Sequence, residues 1–264
     1  MEEFWATHAV GATACEMMLD SNENVSEPEV KEILQVLPNY EDKEVLELGA
    51  GIGRFTSHLC DKAKNVVAVD FMQKFLDRNR EDNCHRNNLQ LKCDNVMNLE
   101  FSDLSFDLVF SNWLFMYLYD DDAKTLLSRI LKWLRPGGKM FFRESCFTKV
   151  GNKKLEYNPS VYRSTSDYND MITSTTIKEG SCGFNVLTYK PLQTYIKVNL
   201  FSLNIKLSNV FNMFEHSSMP FCGVGLYDSV MSHLTPPLIF LHSQYKGNEH
   251  QMYWVMERGP KLEE

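Results

Sequence analysis

The sequence predicts an α/β fold built on a Rossmann-like, doubly wound parallel sheet that ends in a C-terminal antiparallel hairpin. Short apolar runs alternate with helical patterns through the first half of the chain, which is typical of a parallel sheet covered by helices. The first run ends in a glycine-rich turn that opens a helix, and acidic residues follow the next two runs. The length of 264 residues suits a single domain of this kind.

Residues 1–40 are expected to form a helical cap before the sheet, because their apolar side chains recur at helical spacing and Pro28 suits a helix start. The next segment, residues 41–199, is expected to form the core. Two strand-like runs, residues 194–198 and 251–256, are expected to pair as the C-terminal hairpin. The other strands are predicted at residues 45–48, 66–69, 89–93, 106–110 and 139–143, the last one after the turn R-P-G-G.

Residues 200–247 stand out as an atypical insertion within that hairpin, and residues 248–264 form the final strand and tail. The insertion has only four charged side chains but many aromatic ones, which is unlike a solvated loop. It is also far longer than the usual hairpin loop of ~2–5 residues. Histidines, prolines and Asp228 interrupt its apolar runs before they reach the ~18 residues of a membrane span, so no transmembrane segment is predicted.

The first apolar run continues into V-L-E-L-G-A-G-I-G-R at residues 45–54. Gly49, Gly51 and Gly53 have no Cβ, so the backbone can turn sharply and approach a ligand, towards which the first N–H groups of the next helix point. A dinucleotide fingerprint requires G-x-G-x-x-G, whereas this turn has G-x-G-x-G after the acidic Glu47. That spacing is the one used by S-adenosylmethionine-dependent methyltransferases, and it predicts S-adenosyl-L-methionine as cofactor and S-adenosyl-L-homocysteine as product.

Asp70 and Asp94 follow the second and third predicted strands, on the edge of the sheet where the glycine turn lies. A carboxylate at Asp70 can accept hydrogen bonds from both ribose hydroxyls of a nucleoside. A carboxylate at Asp94 can accept one from the exocyclic amine of adenine, and the backbone of Asn95 completes that edge. Each acid alone is more simply explained as a strand end. Together with the glycine turn, in three successive βα units, they predict a nucleoside site.

The composition argues against several other classes of function. A formal net charge of −8 disfavours binding to duplex nucleic acid, which needs a basic face. Seven cysteines without C-x-x-C pairs indicate neither a disulfide framework nor a zinc site, and no metal is expected. The first residues lack the basic start and apolar core of a signal peptide. We therefore expect a cytoplasmic enzyme that acts on a small molecule. We also expect the protein to be a monomer.

Five longer motifs indicate a more specific family than the glycine turn does. The chain reads S-N-W-L-F-M-Y-L at residues 111–118, W-L-R at 133–135, F-R-E-S-C at 142–146, N-P-S-V-Y-R at 158–163 and M-M-L-D-S at 17–21. In these motifs it resembles the phosphoethanolamine N-methyltransferases, most closely the first methyltransferase domain of the plant and nematode enzymes. The resemblance runs from about Phe4 to Val198 and resumes near Asn248. It fails between Leu200 and Gly247, where those relatives make a short turn.

The resemblance implies a class I S-adenosylmethionine-dependent methyltransferase fold and the N-methylation of phosphoethanolamine, the first step towards phosphocholine. Many relatives carry a small apolar residue at position 95, where a contact through the backbone survives the change. The cofactor positions of the family match Gly49, Arg54, Asp70, Asp94, Asn95 and Asn112, to which the glycine turn adds Gly51 and Gly53. The phosphobase positions match Ser145, Tyr162, Arg163, Tyr168 and Lys197.

The two ends of phosphoethanolamine make different demands on a site. Arg163 offers a planar fork for the phosphate, and nearby hydroxyl groups add hydrogen bonds. The attacking amine must be neutral, so a base has to remove a proton from it. Tyr117, after the fourth strand, and His8, in the N-terminal cap, are the candidates for this catalytic role. For Arg163 the alternative is an ordinary surface arginine, and for Tyr117 and His8 it is a packing or capping role.

Three alternatives stay open beside phosphoethanolamine methylation. One is a methyltransferase that acts on another small amine or on a carboxylate. Another is an inactive or impaired splice-type variant that binds cofactor or partners, because the insertion separates the two strands of the hairpin. In the third, the apolar insertion binds a membrane surface or a partner.

Overall fold

The computed structural model describes residues 2–8, 11, 13, 23–146, 160–177, 181–194 and 251–260. The helices within them are α1 Glu2–His8, α2 Glu23–Val36, α3 Thr56–Cys60, α4 Gln73–Asn83, α5 Asp120–Trp133 and α6 Thr165–Ser174, with a 3-10 helix at Phe115–Tyr117. The strands are β1 Glu44–Leu48, β2 Asn65–Asp70, β3 Leu89–Cys93, β4 Phe106–Asn112, β5 Leu134–Ser145, β6 Thr176–Ile177, β7 Cys182–Pro191 and β8 Gln251–Pro260.

The strands of this described part join one sheet in the order β3-β2-β1-β4-β5-β8-β7-β6. Strands β1 to β5 run parallel to one another, while β8 pairs antiparallel with both β5 and β7. The predicted doubly wound sheet with an antiparallel C-terminal hairpin is confirmed. After β1 the chain moves outward to β2 and β3, and it then returns to β4 on the other side of β1. Such sheets bind ligands beside the carboxyl ends of the strands at this reversal.

Two apolar layers cover the sheet, one on each face. Neighbouring residues of β5 point to different layers: Phe141 packs in the layer that includes α2 and α3, and Phe142 in the layer that includes α5 and α6. Phe141 stacks on Tyr253 with ring centroids 5.8 Å apart, and Phe142 stacks on Trp254 at 4.7 Å. Strand β8 is therefore packed into both layers and pairs with β5 from Lys139 to Ser145.

The C-terminal hairpin uses a different strand from the one predicted. The prediction paired residues 194–198 with residues 251–256, but β8 pairs with β7, in a register that places Pro191 opposite Met252. Thr194 lies beyond β7, and its backbone N–H donates to Glu32 Oε2 at 2.7 Å; residues 195–198 lie outside the described residues. The prediction was wrong because β7 is partly exposed and mixes polar with apolar side chains, so its alternation is weaker than that of T-Y-I-K-V.

Two other boundaries differ from the sequence prediction. Pro28 lies inside α2, which begins at Glu23, rather than at a helix start. Strand β5 begins at Leu134 and so includes the R-P-G-G segment, with a register shift opposite Phe106 and Leu108. The predicted insertion, residues 200–247, lies outside the described residues. Within the described ranges, none of the helices is long and apolar enough to cross a membrane.

Candidate active site

The glycine turn is fixed to the end of the neighbouring strand β2. The backbone N–H groups of Gly49 and Ala50 both donate to the carbonyl of Val69, at 2.9 Å each. Gly49, Gly51 and Gly53 have φ angles of 72°, 54° and 92°, a region that residues with a Cβ rarely adopt. The backbone path of this turn therefore requires the three glycines that the sequence analysis singled out.

Asp70 fastens the turn from the side. Its Oδ2 accepts a hydrogen bond from Gly51 N and its Oδ1 accepts one from Met72 N, both at 2.9 Å. Burial raises the pKa of the Asp70 carboxyl to about 6, although these backbone hydrogen bonds act to lower it. A carboxylate oxygen that accepts one hydrogen bond still has a lone pair for another donor. Asp70 can thus hold the turn and accept ligand hydroxyl groups at the same time.

Asp94 and Asn95 lie next to Asp70 on the same edge of the sheet. The backbone N–H of Asp94 donates to the carbonyl of Asp70 at 3.0 Å, and the Asp94 carboxylate lies 3.3 Å from Lys92 Nζ. The side chain of Asn95 accepts a hydrogen bond from Met97 N at 2.9 Å, which shapes the turn after β3. The structure therefore brings these residues, the glycine turn and Asp70 together, as the topology of the sheet predicts.

A column of buried polar side chains supports the turn from behind. Thr56 Oγ1 donates to Glu47 Oε2 at 2.7 Å, Asn79 Nδ2 donates to Thr56 Oγ1 at 2.9 Å, and Asn83 Nδ2 donates to Asn79 Oδ1 at 3.0 Å. Burial raises the pKa of the Glu47 carboxyl to about 8. The sequence analysis did not identify Thr56, Asn79 or Asn83, although two asparagines on the buried face of α4 are a detectable signal.

Replacing Glu47 by glutamine is expected to remove part of the pH dependence of stability. The pKa of Glu47 in the folded protein, about 8, is above its ordinary value of 4.5. Between these values the folded state holds a proton that the unfolded state has lost, so the free energy of unfolding falls as the pH rises. Burial raises the pKa of Asp70 only to about 6 and that of Glu144 only to about 7. Above about pH 7 most of the fall should therefore come from Glu47, with a smaller part from Glu144.

Urea titrations measure this effect. Wild-type protein should lose roughly 1 kcal/mol of unfolding free energy between about pH 7 and about pH 8. The Glu47→Gln variant keeps an acceptor for Thr56 and should lose much less over that interval. An equal loss in both proteins would show that Glu47 does not titrate there.

Strand β4 delivers Asn112 and Trp113 to the same edge. Trp113 has a φ angle of 56°, and its backbone N–H donates to the carbonyl of Arg143 at 2.9 Å. A tryptophan in the left-handed region is unusual and is typical of functional sites. The Oδ1 atom of Asn112 is buried, and no group of the described residues is placed to hydrogen-bond it. This amide oxygen can accept a hydrogen bond from a ligand.

Glu29 joins two arginines of the site. This glutamate of α2 is fully buried and pairs with Arg54, which follows the glycine turn, and with Arg143 of β5. The guanidinium carbon of Arg143 lies 3.6 Å from the ring centroid of Trp113, and that of Arg54 lies 6.0 Å from it. The sequence analysis did not identify Glu29 or Arg143. An acid next to the buried Val30 is the only local signal for Glu29.

Glu144 shapes the loop that follows Trp113. Its Oε1 accepts hydrogen bonds from Leu114 N at 2.9 Å and Phe115 N at 2.8 Å, and its Oε2 accepts one from Met116 N at 3.2 Å. Burial raises the pKa of the Glu144 carboxyl to about 7, although these bonds act to lower it. Two adjacent charged residues, Arg143 and Glu144, inside a predicted strand region are the signal that could have identified it.

Tyr117, one of the two candidate bases, is carried by this loop. Its ring contacts Trp5 of α1 at a centroid distance of 5.6 Å, so the N-terminal helix covers it. Burial raises the pKa of the Tyr117 hydroxyl above its ordinary value, and Glu144 adds to the effect. His8, the other candidate, is the last residue of α1. Its catalytic role stays a prediction.

Arg163 makes its contacts inside the protein. Its Nε donates to Asp120 Oδ1 at 2.8 Å, its Nη1 to the carbonyl of Phe115 at 2.9 Å and its Nη2 to the carbonyl of Leu118 at 2.6 Å. The residue is only 3% exposed. These bonds fasten the end of the loop that carries Tyr117 to the start of α5. Three of its five N–H donors are used in these bonds, so a phosphate could bind only to the other two, on a side chain that is almost fully buried.

The other predicted phosphobase residues differ in position. Ser145 lies at the carboxyl end of β5, where its Oγ accepts a hydrogen bond from Trp113 Nε1 at 3.0 Å. Tyr168 is buried between Phe142 and Trp254, with centroid distances of 5.6 and 5.4 Å. Tyr162 is half-buried beside Arg163, and Lys197 lies outside the described residues. Of this set, the structure places Ser145 at the edge where the predicted cofactor residues meet. In the described ranges, no three His, Cys, Asp or Glu side chains form a metal site.

Comparison with known proteins adds a sequence relationship to this geometry. A family model described as a methyltransferase domain matches residues 46–142. The phosphoethanolamine N-methyltransferase of Triticum aestivum is 41% identical over 74% of this chain and 40% of its own length. For phosphoethanolamine N-methyltransferase 1 of Caenorhabditis elegans the values are 33%, 74% and 44%. The chain therefore spans less than half the length of these relatives.

Solved structures with the same fold confirm the predicted fold class. Phosphoethanolamine N-methyltransferase 1 of Haemonchus contortus, solved with phosphoethanolamine and S-adenosylhomocysteine, superposes with a TM-score of 0.74 at 24% identity, over 100% of this chain and 49% of that chain. Phosphoethanolamine N-methyltransferase 2 of the same organism, solved with S-adenosyl-L-methionine, gives 0.61 at 18% identity, over 99% of this chain and 60% of that chain. The fold is that of S-adenosylmethionine-dependent methyltransferases.

Proposed function

Because this chain is a sequence relative of the phosphoethanolamine N-methyltransferases and contains a methyltransferase domain, we propose that it transfers a methyl group from S-adenosyl-L-methionine to the amino group of phosphoethanolamine. The observation that carries the proposal is the glycine turn held by Asp70, with Asp94 beside it at the carboxyl edge of the sheet. This arrangement supplies hydrogen-bond acceptors for a ribose and an adenine. They lie beside the glycine turn, where the backbone can come close to a ligand.

Each part of the cofactor meets a suitable group in this arrangement. The Asp70 carboxylate would hold the ribose hydroxyls, and Asp94 would accept a hydrogen bond from the adenine amine. The glycine turn, Arg54 and Asn112 would hold the amino-acid end, with the buried Oδ1 of Asn112 as an acceptor for its ammonium group. The proposed cofactor residues are Gly49, Gly51, Gly53, Arg54, Asp70, Asp94, Asn95 and Asn112.

Methyl transfer is a displacement in which the amine nitrogen attacks the methyl carbon of the sulfonium in line with the leaving sulfur. The amine must be neutral and held close, so positioning supplies much of the rate. Ser145 and Trp113, at the carboxyl ends of β5 and β4, bound the substrate side of the site. Tyr162, Arg163, Tyr168 and Lys197 stay in the proposed phosphobase set. Arg163 and Tyr168 are buried, and Arg163 would act mainly by holding the loop of Tyr117.

Tyr117→Phe is expected to lower kcat only modestly. Burial raises the pKa of the Tyr117 hydroxyl, so this hydroxyl keeps its proton near neutral pH and orients the substrate rather than deprotonating it. A loss of less than about tenfold is expected, because one hydrogen bond is removed and the ring remains packed on Trp5. The measurement is kcat as a function of pH. A loss above about a hundredfold, together with the disappearance of the limb that reports the base, would instead identify Tyr117 as the base.

A transfer assay tests the proposed function. Labelled S-adenosyl-L-methionine is incubated with the intact chain and with phosphoethanolamine or its monomethyl and dimethyl derivatives, and a chain that lacks Leu200 to Gly247 is assayed in parallel. Methylation of phosphoethanolamine by both chains supports the proposal. Activity only after the deletion would favour the impaired-variant alternative. Activity only on another amine or on a carboxylate would show that the substrate is not phosphoethanolamine and would support the alternative methyltransferase. A monomeric state and a cytoplasmic location stay predictions.

A further inference from the structure

Gln251 forms a hydrogen-bonded group with Ser145 and Trp113 at the carboxyl edge of the sheet. It is the first residue of β8 and lies opposite Ser145 in the register with β5. Gln251 Nε2 donates to Ser145 Oγ at 2.9 Å, and Trp113 Nε1 donates to Gln251 Oε1 at 3.3 Å and to Ser145 Oγ at 3.0 Å. The sequence analysis did not identify Gln251 as a site residue.

The indole of Trp113 sets the orientation of this amide. An indole N–H is only a donor, so it must face the oxygen of Gln251 and not its NH2 group. The indole is itself fixed, because the Arg143 guanidinium stacks on it at 3.6 Å and its backbone N–H is bonded to β5. One hydrogen of Gln251 Nε2 then points to Ser145, and the second is available to donate elsewhere.

Ser145 is constrained in the same way. Its Oγ accepts hydrogen bonds from Trp113 Nε1 and from Gln251 Nε2, which occupies both lone pairs of the hydroxyl. The hydroxyl proton therefore has to be donated, either to Gln251 Oε1 at 3.1 Å or to a ligand. The group as a whole presents two donors, the hydroxyl of the buried Ser145 and the second Nε2 hydrogen of the half-buried Gln251.

We propose that Gln251 is a substrate-binding residue that donates through Nε2 to the phosphate of the phosphobase, next to the hydroxyl of Ser145. This inference rests on the proposed function and adds a residue from β8 to its substrate site. Two hydrogen-bond donors side by side suit a phosphate, because hydrogen bonds to its ionised oxygens are stronger than those to neutral acceptors. Trp113 acts as the positioning residue of the pair, because it fixes the amide and the hydroxyl in their donor orientations.

The test compares Gln251→Glu and Gln251→Leu with wild-type protein. The glutamate keeps an acceptor for Trp113 and Ser145 but places a negative charge against the phosphate. Both variants should raise KM for phosphoethanolamine about tenfold or more, because a hydrogen bond to a charged group is lost. The dissociation constant for S-adenosylhomocysteine should stay within about twofold of the wild-type value. A general loss of structure would instead weaken the binding of both ligands. Gln90→Glu, the same substitution at an exposed strand position, serves as control.

The pH dependence of KM distinguishes a Gln251 that binds the phosphate from one that only supports the fold. The second ionisation of a phosphate monoester has a pKa of about 6, so the substrate gains negative charge between about pH 5.5 and about pH 7.5. The ratio of the KM of Gln251→Glu to that of wild type should increase over this range, while the ratio for Gln251→Leu should stay flat. A flat ratio for both, or an equal loss of S-adenosylhomocysteine affinity, would overturn the inference. A wild-type protein that binds the cofactor but does not methylate phosphoethanolamine would instead show that the proposed function is wrong.

Discussion

Asp70→Asn is expected to weaken binding of S-adenosylhomocysteine by roughly a hundredfold, or about 2.8 kcal/mol. Both oxygens of Asp70 already accept backbone hydrogen bonds, from Gly51 N and Met72 N. An asparagine turns one of these acceptors into a donor, which then faces either a backbone N–H or a ligand hydroxyl. The substitution therefore removes acceptors for the ribose and loosens the glycine turn in one step. Isothermal titration with S-adenosylhomocysteine measures the loss.

Asp77→Asn is the matched control for this variant. Asp77 lies on the exposed side of α4 and accepts a hydrogen bond from Gln73 at 2.7 Å. Its replacement should leave the affinity within about twofold of wild type, because a solvent-exposed pair contributes little. Equal affinities for Asp70→Asn and Asp77→Asn, with both proteins folded, would mean that Asp70 does not contact the nucleoside.

Gly53→Ala is expected to lower the free energy of unfolding by about 3 kcal/mol. The φ angle of Gly53 is 92°, and a Cβ at this position would lie 2.6 Å from the Cγ and Oδ1 atoms of Asn79. Asn79 cannot move aside without cost, because it is fully buried and its side chain donates to Thr56. The change therefore combines backbone strain with a clash against the polar column that supports the turn. Urea unfolding measures the loss.

Gly137→Ala separates these two effects. Its φ angle is 75°, but a Cβ there would meet nothing within 4 Å, so the backbone strain comes without the clash. We expect a loss of only about 1 kcal/mol for this variant. The double variant Gly53→Ala with Asn79→Ala should lose less than the sum of its two single changes, because the clash is shared by the pair. A Gly53→Ala variant as stable as Gly137→Ala would contradict this account, because it would show that Asn79 can move away from the added Cβ at little cost.

The nucleoside side of the site could be predicted because its signals are local. Each parallel strand is a short apolar run, and the residue after it must lie at the carboxyl edge of the sheet, whatever the rest of the chain does. Asp70 and Asp94 are such residues, and the structure connects them by a backbone hydrogen bond of 3.0 Å. The glycines are equally local, because their positive φ angles are a property of a single turn.

The substrate side depends on contacts between distant parts of the chain, which a single sequence does not reveal. Glu29 pairs with Arg143 across 114 residues, and Gln251 bonds to Ser145 across 106 residues. Arg163 shows a different limit. Its motif indicates phosphate binding, but its guanidinium is directed to the carbonyls of Phe115 and Leu118, whose positions depend on the path of a loop rather than on side-chain identity.

The most direct test of the proposed function is a side-by-side titration of the intact chain with S-adenosylhomocysteine and with NAD. The G-x-G-x-G turn and the acids after β2 and β3 should bind one equivalent of S-adenosylhomocysteine, in competition with S-adenosyl-L-methionine, and should not bind NAD measurably. Binding of NAD without binding of S-adenosylhomocysteine would contradict the assignment of this edge of the sheet to the methyl donor.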